Sequence, residues 1–172
     1  IGGGWIADGC IDHGQGTGMA ELGHTYVPDP QTGTAAELET ICSGWAIGRR
    51  ARAAAEQEPS RMVELAGSAA AIDARIVYAA AEAGDAAARR ILDETTATLG
   101  LALANVIALF HPEMIVIGGG VSLMGPLFWD GLRSAVAQRA MPAYLASVRI
   151  ERAVLGEDVV PVGALCLAAA IQ

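Results

Sequence analysis

The chain has 172 residues, 53% of them hydrophobic and 5% aromatic, with 19 acidic against 11 basic side chains and a formal net charge of −8. That length suits one well-packed domain, residues 1–172, and is short for two. No apolar run approaches the ~20 residues that cross a bilayer, the N-terminus lacks a basic-then-apolar signal, and basic clusters such as Arg49-Arg50-Ala51-Arg52 look like helix surface. The expectation is a cytoplasmic protein with no membrane and no nucleic-acid partner of its own.

In chain order, Asp8-Gly9 is a turn pair between Trp5-Ile6-Ala7 and Cys10-Ile11, which predicts a hairpin. His13 to Gly23 carries Gly14, Gly16, Gly18 and Gly23 and is predicted to be a loop. His24-Thr25-Tyr26-Val27 is predicted as a short strand ended by Pro28-Asp29-Pro30. From Ala35 to Glu58 the pattern is helical, broken at Ser43-Gly44, where Ser43 can re-cap a second helix. Shorter helices are predicted over Met62–Ala66 and Ile72–Ala83. Asp85 is a candidate N-cap for a long helix to Phe110, whose Leu99, Leu103, Val106, Ile107 and Phe110 form a core-facing stripe. His111-Pro112 stops it. Met114 to Ile117 then gives a continuously apolar, buried strand that runs into Gly118-Gly119-Gly120. A helix from Pro126 to Ala140, a strand at Val148–Ile150 and a closing helix over Val160–Ala170 complete an α/β alternation.

The three cysteines, Cys10, Cys42 and Cys166, are scattered, which fits reduced core thiols better than a disulfide framework or a C-x-x-C motif. Neither a P-loop nor a G-x-G-x-x-G fingerprint occurs. Two constellations carry chemistry. The passage Met114 to Ser122 offers bare backbone N–H groups at the end of a strand, which serve either a nucleotide or a tight turn without a ligand. Glu21-Leu22-Gly23-His24, with Glu37 and Glu39 downstream, sets a carboxylate beside an imidazole; that pair can exchange hydrogen bonds with vicinal hydroxyls or be a surface Glu and a structural His.

Taken together these passages resemble the ROK family of bacterial sugar kinases and sugar-responsive repressors, over essentially the whole chain. Gly2-Gly3-Gly4-Trp5-Ile6 with Asp8-Gly9 is similar to the tail of the family's second phosphate motif and its hairpin, and Glu21-Leu22-Gly23-His24 to its E-x-G-H. Leu38-Glu39 with Ser43-Gly44-Trp45-Ala46-Ile47, Leu99-Gly100 with Ala104-Asn105, Ile115 to Ser122, and Gly163-Ala164 resemble its later motifs. The resemblance implies an actin-like ATPase (ribonuclease H-like) fold, here the C-terminal lobe of a sugar kinase, with a mixed sheet flanked by helices. It implies that Glu21, His24 and Glu39 bind sugar hydroxyls, that Gly118, Gly119 and Gly120 lie against adenosine, and that Gly2, Gly3 and Gly4 sit near the phosphates. ATP, Mg²⁺ and a glucose-like or N-acetylhexosamine-like hexose are the implied ligands, and a homodimer the implied assembly.

Two departures qualify what is implied. Family kinases hold a structural zinc with the E-x-G-H histidine and a C-x-C-G-x-x-G-C cluster; residues 28–36 contain no cysteine and Glu37 stands at the last ligand's place, so no zinc is expected and Thr32-Gly33-Thr34 becomes a mobile link. The aspartate that takes the proton from the sugar belongs to an upstream lobe, so no catalytic residue is assigned here, and the expectation is that the chain is inactive alone. Without a positioned base, phosphoryl transfer loses roughly 10² to 10⁴ in rate. The alternatives are a sugar-sensing domain of a ROK-type regulator and a noncatalytic assembly module.

Overall fold

Local capping chemistry divides the helical part of the chain. In the computed structural model, which describes residues 1–16 and 18–170, the side chains of Ser43, Ser60, Asp73 and Asp85 each accept an amide hydrogen bond at a helix start. The elements are β1 (Trp5–Ala7), β2 (Cys10–Asp12), β3 (Tyr26–Pro28), β4 (Ala35–Glu37), α1 (Glu39–Cys42), α2 (Gly44–Ala55), α3 (Arg61–Ala66), α4 (Ala74–Glu82), α5 (Ala86–Phe110), β5 (Met114–Ile117), α6 (Pro126–Ala137), α7 (Pro142–Leu145), β6 (Arg149–Arg152) and α8 (Val159–Ala170). The strands form three two-stranded ladders among the described residues: β1 with β2 and β3 with β4 antiparallel, β5 with β6 parallel. The mixed α/β character read from the sequence is what the chain adopts.

The long helix α5 is the spine. It packs against α2, α4 and α6, and Ile91, Leu92, Leu99, Leu103 and Ile107 lie in the core with Phe128 and Leu132 of α6 and Ile47 of α2, whereas Phe110, expected in that stripe, is 49% exposed and lies against the Trp5 ring. A Cβ at Gly100 would stand 2.5 Å from Ala135 Cβ, so glycine is what lets α6 come this close. By length and composition α5 could cross a membrane, but 61% of its most apolar stretch is buried inside the protein, the burial of a core helix. Arg50 of α2 reaches the same spine. Its buried guanidinium pairs with the Glu94 carboxylate and donates to Thr95 Oγ1 at 3.5 Å.

Several sequence expectations need correction. Residues 35–37 form strand β4 rather than the start of a helix, because pairing with Tyr26–Pro28 outweighs their weak local preference. His24 lies in a 3₁₀ turn (Leu22–His24), and the strand begins at Tyr26. The Thr32-Gly33-Thr34 link is held in a turn: Asp29 Oδ1 accepts from the Gln31 and Thr32 amides at 2.7 and 3.2 Å, and the Asp29 amide donates to the Thr34 carbonyl. Strand β5 is buried on one side only. Ile115 and Ile117 pack on the core while Val116 is 57% exposed, since the ladder has only two strands to cover. Among the cysteines Cys42 alone is in the core; Cys10 and Cys166 are exposed.

Candidate functional site

The site is assembled from two glycine segments that touch. Asp8 and Gly9 adopt φ of 51° and 76°, the twisted turn a two-residue hairpin requires, and this hairpin follows Gly2-Gly3-Gly4 directly. A Cβ on Gly3 would come closer than 3.0 Å to the Ala20 carbonyl oxygen, and one on Gly23 closer than 3.0 Å to the Ile1 carbonyl. The two missing side chains therefore let residues 1–4 lie against residues 20–23. Ala20 itself is held at φ 69°, a left-handed conformation unusual for alanine, at the point of contact.

Glu21 is exposed and leads into the 3₁₀ turn, its carbonyl accepting from the His24 amide at 3.2 Å. Beyond the turn the β3–β4 register sets Tyr26 opposite Glu37, and the Leu38 amide donates to the Thr25 carbonyl at 2.9 Å. Val27 faces the core, so the paired Tyr26 and Glu37 face the other side of the ladder. One ligand atom each of His24, Glu37 and Glu39 lies within 4.8 Å of the others. His24 Nδ1 is 3.4 Å from Glu37 Oε2, and the Ile1 amino group donates to Glu39 Oε2 at 2.9 Å. That ammonium hydrogen bond holds the Glu39 carboxyl below its usual pKa. Sequence reading expected His24 and Glu39 to bind sugar hydroxyls and named Glu37 beside them without a role of its own.

A cavity of about 450 Å³ opens beside these groups. Its lining includes Gly2, Gly3 and Gly4, the loop residues Ala20 and Leu22, Ser43 and Gly44 at the α1–α2 junction, and Gly118, Gly119 and Gly120. The glycine loop near the start and the glycine corner after β5 thus border one space. Ala20 and Leu22, which flank Glu21, supply the lining on that side, and the carboxylates and the imidazole stand outside it. Glu39 meets the cavity through Ile1.

At the corner, Gly119 has φ 82°, and no atom lies within 4 Å of a Cβ built on Gly119 or Gly120, so the backbone there faces open space. The Ser122 hydroxyl donates to the Gly119 carbonyl at 2.7 Å and fixes the turn. A second hollow, about 500 Å³, lies on the other side of Val121. It shares Gly44, Gly120 and Val121 with the first and adds Trp45, Asp73, Arg75 and Tyr78. Asp73 caps α4, and the hydrogen bond from the Ile76 amide holds its carboxyl below the usual value. Sequence reading gave these side chains no binding role: Asp73 lay inside a predicted helix, and Trp45 was named only within the Ser43–Ile47 motif.

The donor set at His24 does not fit a structural zinc. Such sites are closed tetrahedra of cysteine and histidine, whereas the trio offers one imidazole and two carboxylates. Cys42 is a buried thiol: burial pushes it up to about 12, and its Sγ donates to the Thr95 carbonyl at 3.6 Å.

A model of the ROK family matches residues 1–171. The chain is 36% identical over 169 residues to a glucokinase of Thermotoga maritima, covering 95% of this chain and 53% of the relative. It is 31% identical over 156 residues to the DNA-binding transcriptional repressor Mlc of Escherichia coli, covering 88% of this chain and 37% of the repressor. Among solved structures it is similar to a ROK family glucokinase from Streptomyces griseus in complex with glucose and AMPPNP, with a TM-score of 0.78 and 30% identity over 91% of this chain and 53% of that one. The chain spans about half the length of the glucokinases it matches.

Proposed function

The chain belongs to the ROK family, and from that premise we propose that it supplies the sugar- and nucleotide-contacting part of an ATP-dependent hexose kinase. The observation that carries the proposal is the single cavity bordered both by the loop around Glu21 and by Gly118–Gly120. In this reading the hexose lies at the edge of the cavity beside Ala20 and Leu22, where Glu21, His24 and Glu39, which stand outside its lining, hold it by its hydroxyls. A carboxylate accepts two hydroxyl hydrogens and a neutral imidazole offers one donor and one acceptor, which matches the alternating demands of neighbouring sugar hydroxyls.

The nucleotide is proposed to lie along Gly118, Gly119 and Gly120, with the adenosine toward the second hollow and the phosphates toward Gly2, Gly3 and Gly4. Backbone amides without side chains can approach phosphate oxygens closely. Mg²⁺ would arrive on those phosphates, as it is ordinarily held largely by phosphate and water; no acidic side chain lines the cavity among the described residues. These residues bind and orient. The general base is assigned to none of them, and phosphoryl transfer would draw it from outside residues 1–172.

A second reading is favoured by the match to a repressor: the same pocket binds a sugar and biases a conformational equilibrium that a DNA-binding segment reports. Calorimetry with a panel of hexoses tests what both readings share. Binding by the parent, weakened in Glu21→Ala and His24→Ala, is expected; no binding, or equal binding by the variants, would overturn the site assignment. Adding AMPPNP separates the two, since the kinase reading requires that it also bind.

A further inference from the structure

Resting on the hexose site proposed above, we infer that Glu37 is a positioning residue for His24, fixing the ring's orientation and tautomer. His24 ends a 3₁₀ turn and its side chain is 61% exposed, so the local backbone gives the ring little to rest on. Glu37 sits one strand away, and its position is fixed twice: by the Tyr26–Glu37 register and by the Leu38 amide on the Thr25 carbonyl. The alternation that buries Val27 turns the paired Tyr26 and Glu37 to the other side of the ladder. Its Oε2 then stands 3.4 Å from Nδ1.

A carboxylate beside one ring nitrogen favours the proton there. This is the arrangement that sets the tautomer of a working histidine, because the carboxylate can accept and cannot donate. If Nδ1, 3.4 Å from the Glu37 carboxylate, carries the proton of the neutral ring, Nε2 is left as the acceptor. An acceptor at that point takes a hydrogen from a sugar hydroxyl, with the Glu39 carboxylate as a neighbouring acceptor.

The test is read on the whole chain. Long-range ¹H–¹⁵N correlation of the histidine rings, with His24 identified by its loss in His24→Gln, reports the tautomer without ligand at a pH where the ring is neutral. The Nδ1–H form is expected to dominate in the parent, to give way to the Nε2–H form in Glu37→Gln, and to return in Glu37→Asp. A hexose that binds the parent should bind Glu37→Gln about tenfold more weakly, the lower end of what loss of such a supporting carboxylate does. Glu37 is part-exposed, so an unchanged melting temperature is expected and separates the effect from unfolding. The same tautomer in parent and Glu37→Gln would overturn the inference. So would one equivalent of tightly bound zinc that Glu37→Gln releases, for then a metal and not the carboxylate orients the ring. Failure of every hexose to bind the parent would instead strike the site proposal, leaving the tautomer result to be judged separately.

Discussion

Replacing Gly3 by alanine should separate the two segments whose contact borders the cavity. A Cβ built there falls well inside the 3.0 Å that such atoms essentially never breach with the Ala20 carbonyl oxygen, so the two backbones must part. Ala20 has little room to yield, being already at φ 69°. Overpacking of this sort costs about 1–3 kcal/mol, which for a domain of this size lowers the melting temperature by roughly 2–12 °C. Gly2 and Gly4 are the controls, because a Cβ on either meets nothing within 4 Å, and Gly2→Ala should stay within about 0.5 kcal/mol of the parent. Differential scanning calorimetry reads the stability, and hexose titration well below both midpoints reads the site. Should residues 1–4 simply swing away, the melting temperature would hold but hexose affinity would fall. Gly3→Ala matching Gly2→Ala in both measurements would refute the close contact.

Further outcomes follow from the core and the caps. Glu94→Ala leaves the Arg50 guanidinium, 6% exposed, without its partner and should destabilise by about 3 kcal/mol in urea unfolding; Arg50→Met combined with Glu94→Leu should recover most of the loss. Burial pushes the Asp85 carboxyl up, but hydrogen bonds from the Ala88 amide, the Ser60 hydroxyl and the Arg61 amide outweigh it and hold the pKa below 3.8. A group that binds its proton less readily when folded stabilises fully above its unfolded pKa and loses that contribution as pH falls through the folded one. Asp85→Asn should therefore be less stable than the parent above pH 3.8, with the gap closing below it; a gap independent of pH would contradict the role. With Ellman's reagent at pH 8, the exposed Cys10 and Cys166 should react at once and Cys42 only in denaturant.

What was legible in the sequence was what short-range chemistry decides. Asp85 and Ser43 declare helix starts because a side-chain acceptor two or three residues ahead of an amide is a local event. Asp8-Gly9 declares a hairpin because few residues tolerate its two positive φ angles. The E-x-G-H loop and the glycine corner were visible as motifs, but that they border one cavity depends on Gly3 fitting against Ala20, a contact between segments with no pattern of its own. Ala35-Ala36-Glu37 was misread as helical since its composition favours a helix, and only the partner strand makes it β4. The role inferred for Glu37 was hidden by the same error: on a helix it would not pair with Tyr26. Met114 to Ile117 was read as fully buried because four apolar residues in a row carry no alternation to show which side is open.

The central claim is that the loop around Glu21 and the corner at Gly118–Gly120 serve one ligand space. Its most direct measurement is a backbone amide NMR titration of the labelled chain, first with a hexose that binds and then with AMPPNP. Shifts at Ala20 to Thr25 on adding sugar, then at Gly118 to Val121 and Gly2 to Gly4 on adding nucleotide, with each ligand altering the other's affected amides, are the result the account predicts. Saturable shifts confined to other surfaces, or none at either segment, would contradict it.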